Sequence, residues 1–156
     1  MTDVVSNKVG DTDMSDAELI IFDLDDTILA TTAWNTSMQA GLIKPFDGMA
    51  ELLQCLRTPY EVVTAGDVFA QTQKVSQANL GFLQLHCCDP KDNAVEKLTV
   101  MDSLMESHRV NPWHTIVVGD KVAQEIMYGN LLGCKTIRTK FGGRHDVMMS
   151  NSVQSI

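Results

Sequence analysis

The stretch Leu19-Ile20-Ile21-Phe22-Asp23-Leu24-Asp25-Asp26-Thr27 decides the fold of this chain. Four apolar residues read as a buried strand, and the run then breaks into carboxylates spaced by one residue and a threonine. A strand covered on both faces is continuously apolar, and a charge inside it would be costly. The conflict is resolved if Asp23 and Asp25 stand at the strand's carboxyl end, where open α/β sheets bind their ligands. One carboxylate can then attack or hold a metal while its neighbour handles protons. The alternative reading is an acidic turn that merely ends a strand.

Working outward, the same grammar repeats. Tyr60-Glu61-Val62-Val63-Thr64 reads as a second strand, closed by Ala65-Gly66-Asp67, and Phe82–His86 as a short third. Thr115-Ile116-Val117-Val118 is a fourth, breaking into Gly119-Asp120, and Lys135–Arg138 a fifth. Between them lie helical patterns: one opened by Pro45 with Met49, Leu52, Leu53 and Leu56 on a face, one over 68–79, one opened by Lys97 with Leu98, Met101, Leu104 and Met105 on a side, and one over 124–132 stopped by Gly133. Strand and helix in alternation predict an α/β fold, a three-layer Rossmann-like arrangement with a parallel five-stranded sheet and helices on both faces. Right-handed crossovers bring Asp23, Asp25, Thr64 and Asp120 to one edge of the sheet.

The totals bound the function. At 156 residues the chain is about one domain, 44% hydrophobic and 21% charged, with a formal net charge of −8. That acidity, with no Lys/Arg cluster, argues against a nucleic-acid partner. Residues 1–16 are polar and acidic, without the basic and then apolar pattern of a signal peptide, and read as a flexible N-terminal arm. The apolar runs are too short to span a bilayer, so a cytoplasmic location is expected, with no membrane partner. Cys55, Cys87, Cys88 and Cys134 show no metal-ligand spacing and read as reduced thiols. The methionines read as core filler, and the four histidines have no partner spacing. Phe141-Gly142-Gly143-Arg144 reads as a surface loop, with anion binding as its alternative.

Over residues 18–143 the chain resembles the haloacid dehalogenase (HAD) superfamily of phosphohydrolases. That family's Asp-x-Asp-x-Thr motif matches Asp23, Asp25 and Thr27, and its strand ending in Ser or Thr matches Thr64. Its helix-start lysine matches Lys97, 23 residues before Asp120, with Lys91 as the fallback. Its last motif, Gly-Asp with a second acid beyond, matches Gly119-Asp120 and Glu125, where most members carry Asp. Taken singly, Thr64 reads as an ordinary strand residue, Lys97 as a solvated helix lysine and Asp120 as a helix N-cap. Their joint order carries the resemblance.

The resemblance implies a Mg²⁺-dependent phosphomonoester hydrolase, with residues 17–144 as the hydrolase domain and 145–156 as a polar C-terminal tail. It implies Asp23 as the nucleophile that forms an aspartyl-phosphate and Asp25 as the general acid and base. It implies phosphate binding by Thr64, backbone N–H groups around Ala65, and Lys97. Mg²⁺ would be held by Asp23, the backbone carbonyl of Asp25 and Asp120, with Glu125 contacting it directly or through water. Only 15 residues separate Leu29 from Pro45, room for a flap holding Trp34 but not for a folded cap domain. Capless relatives act on large phosphorylated substrates or form oligomers in which a neighbour supplies the lid. A phosphoprotein, or a phosphorylated metabolite at the interface of a homo-oligomer, is therefore the expected partner. A non-catalytic phosphate-binding or partner-binding protein, and a phosphotransferase, are the alternatives to hydrolysis.

Overall fold

A computed structural model describes residues 8–9, 12–13, 16–89, 91, 93–141 and 147–151. The elements in chain order are β1 (Lys8–Val9), β2 (Thr12–Asp13), β3 (Leu19–Phe22), α1 (Thr31–Thr36), α2 (Met49–Cys55), β4 (Tyr60–Ala65), α3 (Val68–Gln77), β5 (Leu85–Cys88), α4 (Asn93–His108), β6 (Thr115–Gly119), α5 (Met127–Leu132), β7 (Lys135–Phe141) and β8 (Val147–Asn151). A π-helical turn, Val122–Ile126, leads into α5.

Five strands pair in parallel in the order β5-β4-β3-β6-β7, as the alternation predicts, and β8 adds antiparallel to β7 at the far edge. The sheet therefore has six strands among the described residues. The sixth comes from a stretch expected to be tail: Val147–Asn151 pairs with Phe141–Ile137 and occupies the edge that β7 would otherwise leave open. No hydrophobic alternation marks that segment, and edge pairing through the backbone asks for none. Of the expected N-terminal arm, Lys8–Val9 and Thr12–Asp13 form a two-residue antiparallel ladder; most of the rest lies outside the described residues, as do Gly142–Arg144.

The central strand explains its own composition. All four residues of β3 are 0–3% exposed, because side chains alternate between two covered faces. Ile20 and Phe22 enter a core with Ile28, Leu29, Ile43, Met49, Leu53 and Val75, under α2 and α3. Leu19 and Ile21 enter a second core with Met101, Leu104, Met105 and Tyr128, under α4 and α5. Each fully buried Leu or Ile contributes about 1.5–3 kcal/mol relative to exposure. Gly129 lets α5 approach the sheet, since a Cβ there would lie 2.7 Å from the Thr136 methyl. Among the described residues no helix is long and apolar enough to cross a membrane.

This order places a topological switch at β3. The chain runs outward from β3 through β4 to β5, then crosses to β6 on the other side of β3 and continues to β7. The crevice between β3 and β6, at the carboxyl ends of the strands, is where such sheets bind ligands. Asp23 and Asp120 follow those two strands directly.

Candidate active site

Asp23 continues the sheet by one bond, its N–H donating to the Val118 carbonyl at 3.0 Å, so its side chain stands at the crevice. The chain then turns sharply: the Leu24 carbonyl accepts the N–H groups of Ile28 and Leu29 at 2.9 and 3.0 Å. Asp26 absorbs the turn with φ +59°, a left-handed conformation that Asp tolerates better than most residues. Its carboxylate then accepts the N–H and hydroxyl of Thr32 at 2.8 and 2.5 Å, tying the turn to α1. Thr27 is fully buried, its hydroxyl 3.5 Å from that of Thr139 on β7.

A second group of side chains closes around Asp23. Lys97, 2% exposed, places Nζ 3.2 Å from Asp23 Oδ1 and 3.5 Å from Glu125 Oε2. Lys91, the alternative lysine, is exposed and donates its backbone N–H to Asp89. Of the two lysines, Lys97 is the one that lies against Asp23 and Glu125. It enters from the first turns of α4, which starts at Asn93, four residues earlier than the apolar pattern predicts. One carboxylate oxygen from each of Asp23, Asp120 and Glu125 lies within 4.8 Å of the others. Gly119 admits Glu125 to this cluster: a Cβ at residue 119 would stand 2.6 Å from the Glu125 Cβ.

The electrostatics of the cluster are unbalanced as it stands. Burial, reinforced by the Asp23 charge, pushes the Glu125 carboxyl up to about 9. Burial and the charges of Asp23 and Asp26 push Asp120 up to about 7. Burial opposes the Lys97 charge, but Asp23 and Glu125 outweigh it and hold the ammonium above the usual lysine value. Asp120 Oδ1 and both Glu125 oxygens are buried without a hydrogen-bond partner. Buried oxygens of this kind are normally satisfied, and three converging carboxylates, two of them with oxygens that lack a hydrogen bond, suit a hard divalent cation.

A pH signature follows. Asp120 and Glu125 have folded pKa values above their unfolded values of 3.8 and 4.5. Their contribution to stability is full below those unfolded values and is lost as pH rises through about 7 and then about 9. Asp25 and Glu61 act oppositely, since both are held below their ordinary values and lose their contribution in acid. Metal-stripped protein is therefore expected to melt at progressively lower temperature between about pH 6 and pH 9, and Mg²⁺ is expected to restore the most at the alkaline end. Melting curves with and without chelator check this; a flat or rising metal-free profile would contradict it.

Asp25 occupies a separate pocket of donors. Its Oδ1 accepts from the Thr31 hydroxyl at 2.6 Å and from Lys74 Nζ at 3.1 Å, and its Oδ2 from Gln71 Nε2 at 2.9 Å. Burial alone would raise its pKa, but Thr31, Gln71 and Lys74 together hold it below the usual carboxylate range. Thr64, 1% exposed near the end of β4, accepts from the same Gln71 nitrogen at 2.8 Å. Ala65 ends β4 beside it, paired in register with Cys88.

Thus Asp23, Lys97, Asp120 and Glu125 form one cluster, and Asp25 and Thr64 meet through Gln71. Thr31, Gln71 and Lys74 belong to no motif in the sequence, yet all three donate to Asp25. Gln71 and Lys74 carry a usable signal, two polar residues at i and i+3 on the helix following the Thr64 strand. Thr31 carries none, because α1 lies in a stretch without apolar periodicity.

No family model matches the chain, and no curated protein matches its sequence. Solved structures do match its fold. A conserved haloacid dehalogenase-like protein of unknown function from Agrobacterium tumefaciens str. C58 superposes with a TM-score of 0.62 at 15% identity, covering 83% of this chain and 85% of that one. A haloacid dehalogenase-like family hydrolase from Streptococcus pneumoniae gives 0.62 at 14% identity, covering 83% and 87%. A HAD family hydrolase from Deinococcus radiodurans R1, with bound phosphate and sodium, gives 0.58 at 14% identity, covering 78% and 80%. Strand order and these superpositions agree: this chain has the haloacid dehalogenase-like fold.

Proposed function

We propose that this chain is a Mg²⁺-dependent phosphomonoester hydrolase of the HAD superfamily, working through an aspartyl-phosphate on Asp23. The observation that carries the reading is the pairing of two carboxylates one residue apart in different environments. Asp23 lies against a buried ammonium and two acids whose oxygens lack hydrogen bonds, whereas Asp25 is held by the neutral donors Thr31 and Gln71 and by the Lys74 ammonium. Carboxylates placed in contrasting surroundings suit the division between nucleophile and proton carrier.

In the first half-reaction an Asp23 carboxylate oxygen forms a bond to phosphorus as the phosphorus–ester oxygen bond breaks, and Asp25 gives a proton to the departing oxygen. In the second, water attacks the phosphorus, Asp25 takes its proton back, and the bond to Asp23 breaks to release inorganic phosphate. Asp25 is held toward its anionic form in the free protein; an incoming phosphoryl dianion beside it favours the protonated form needed first. Lys97 offsets the charge of Asp23 and of the phosphoryl group. The Thr64 hydroxyl would donate to a phosphoryl oxygen; its bond from Gln71 uses it as an acceptor and leaves its proton for that role.

Asp23, Asp120 and the Asp25 carbonyl would hold Mg²⁺, with Glu125 joining directly or through water; the oxygens of Asp120 and Glu125 that lack a hydrogen bond fit that role. When bound, the ion supplies positive charge that lets several anions share the crevice. No cap covers the crevice among the described residues: α1 and its flanking loops are all that lies between Leu29 and Pro45. Substrates on the scale of a phosphoprotein, or a phosphorylated metabolite enclosed by a neighbouring copy, are the class this opening admits.

The test is hydrolysis of 4-nitrophenyl phosphate by metal-stripped protein with and without Mg²⁺. Turnover that appears with Mg²⁺ and disappears with chelator supports the reading. Folded, Mg²⁺-loaded protein that turns over neither this ester nor a panel of phosphopeptides and sugar phosphates contradicts it.

A further inference from the structure

Gln71 is 2% exposed in a helix that otherwise faces solvent on much of its surface. A buried amide costs free energy unless its donors are used, and an apolar side chain would fill the same space more cheaply. Here both donors are used on groups that the proposed reaction needs. Nε2 donates to Asp25 Oδ2 at 2.9 Å and to Thr64 Oγ1 at 2.8 Å. The other Asp25 oxygen accepts from the Thr31 hydroxyl at 2.6 Å and from Lys74 Nζ at 3.1 Å.

The local chain is built to bring Gln71 there. Asp67 caps α3 by accepting the Ala70 N–H at 3.0 Å, which fixes where the helix starts. The Gln71 N–H donates to the Asp67 carbonyl at 2.9 Å, placing its side chain one turn in. Gly66, at φ +145°, leaves the space the amide occupies: a Cβ there would lie 3.0 Å from Gln71 Cδ.

We propose that Gln71 and Thr31 are positioning residues that aim Asp25 at the leaving-group oxygen. A donor on each carboxylate oxygen fixes the group against rotation about its Cβ–Cγ bond. Because Gln71 also holds Thr64, the orientation of the proton carrier is tied to that of the hydroxyl facing the phosphoryl group. This rests on the phosphatase reading given above, and its consequence depends on the leaving group. An alkoxide must receive a proton as the ester bond breaks, whereas nitrophenolate is a weak base and departs without one.

The experiment compares kcat/KM for glycerol 2-phosphate and 4-nitrophenyl phosphate in Gln71→Met and Thr31→Val, each near in volume to the native side chain, with melting curves as the folding control. The alkyl ester is expected to lose about 100-fold, the penalty of a misplaced reacting group. In Thr31→Val the aryl ester is expected to change by less than about 3-fold, since general-acid help contributes little to it; in Gln71→Met, which also frees Thr64, it should fall further but still by less than the alkyl ester. Asp25 also takes the proton of the attacking water, so both variants should release a burst of nitrophenol, one per active site, before a slower steady state. Equal losses on the two esters, without a burst, overturn the inference and leave the phosphatase reading standing. Absence of turnover of both esters by the unaltered, Mg²⁺-loaded protein overturns both together.

Discussion

Replacing Asp23 by asparagine is expected to lower turnover of any phosphomonoester by about 10⁴-fold or more, the scale of losing a covalent nucleophile. The amide is isosteric, keeps the N–H bond to the Val118 carbonyl and fills the same space. What it lacks is a charged oxygen able to bond phosphorus. The variant also removes one acid from a crowded cluster, because Asp23 is among the causes that raise both Asp120 and Glu125. Asp23→Asn should therefore be at least as stable as the unaltered protein when metal is absent, and inactive when it is present. Loss of activity with retained or improved melting separates chemistry from folding. Activity within tenfold of the unaltered protein would remove Asp23 from the nucleophile's role.

Lys97→Met is expected to have the largest effect on stability. Its ammonium is the cation that the described structure places against Asp23 and Glu125, and all three side chains are 7% exposed or less. Methionine retains the length of the stem but leaves an unpaired buried carboxylate, a change that costs about 3–5 kcal/mol. The loss should appear in urea denaturation of metal-free protein at neutral pH. It should shrink on adding Mg²⁺, which restores positive charge to the cluster. A loss under about 1 kcal/mol at every pH would show that the cost of burying Lys97 cancels the attraction it gains.

The parallel core was legible because burial on both faces forces unbroken apolar runs, as in β3 and β6, and because each run ends in residues a strand interior rejects. Boundaries were less legible where that logic fails. The apolar pattern starts a strand at Phe82, yet that residue is half exposed and β5 begins at Leu85. Pro45 has the signature of a helix start, but it bridges to Leu29 and α2 begins at Met49. The periodicity puts Leu52 on the buried face of that helix, yet it is 41% exposed while Met49 and Leu53 are buried. A one-turn shift of a short helix leaves the apolar count unchanged, so composition alone could not detect it. The cluster of Asp23, Lys97, Asp120 and Glu125 was legible as an ordered set of residue types. The donors around Asp25 were not, because their selection depends on where a capped helix and a flap meet across the crevice, a distance no local pattern encodes. The Glu61 carboxylate, bound by His86 and His108 at 2.9 and 2.6 Å, is a similar case: strand register and the end of α4 bring together histidines that share no spacing.

The most direct test of the account is to mix Mg²⁺-loaded protein with an intact phosphomonoester that it turns over, quench in acid within the first turnover, and map the protein by mass spectrometry. A phosphoryl group on the peptide holding Asp23, localised to that residue and absent when Mg²⁺ is withheld, is the predicted result. Hydrolysis that proceeds with no phosphoryl adduct, or with the adduct on another residue, would contradict the central claim.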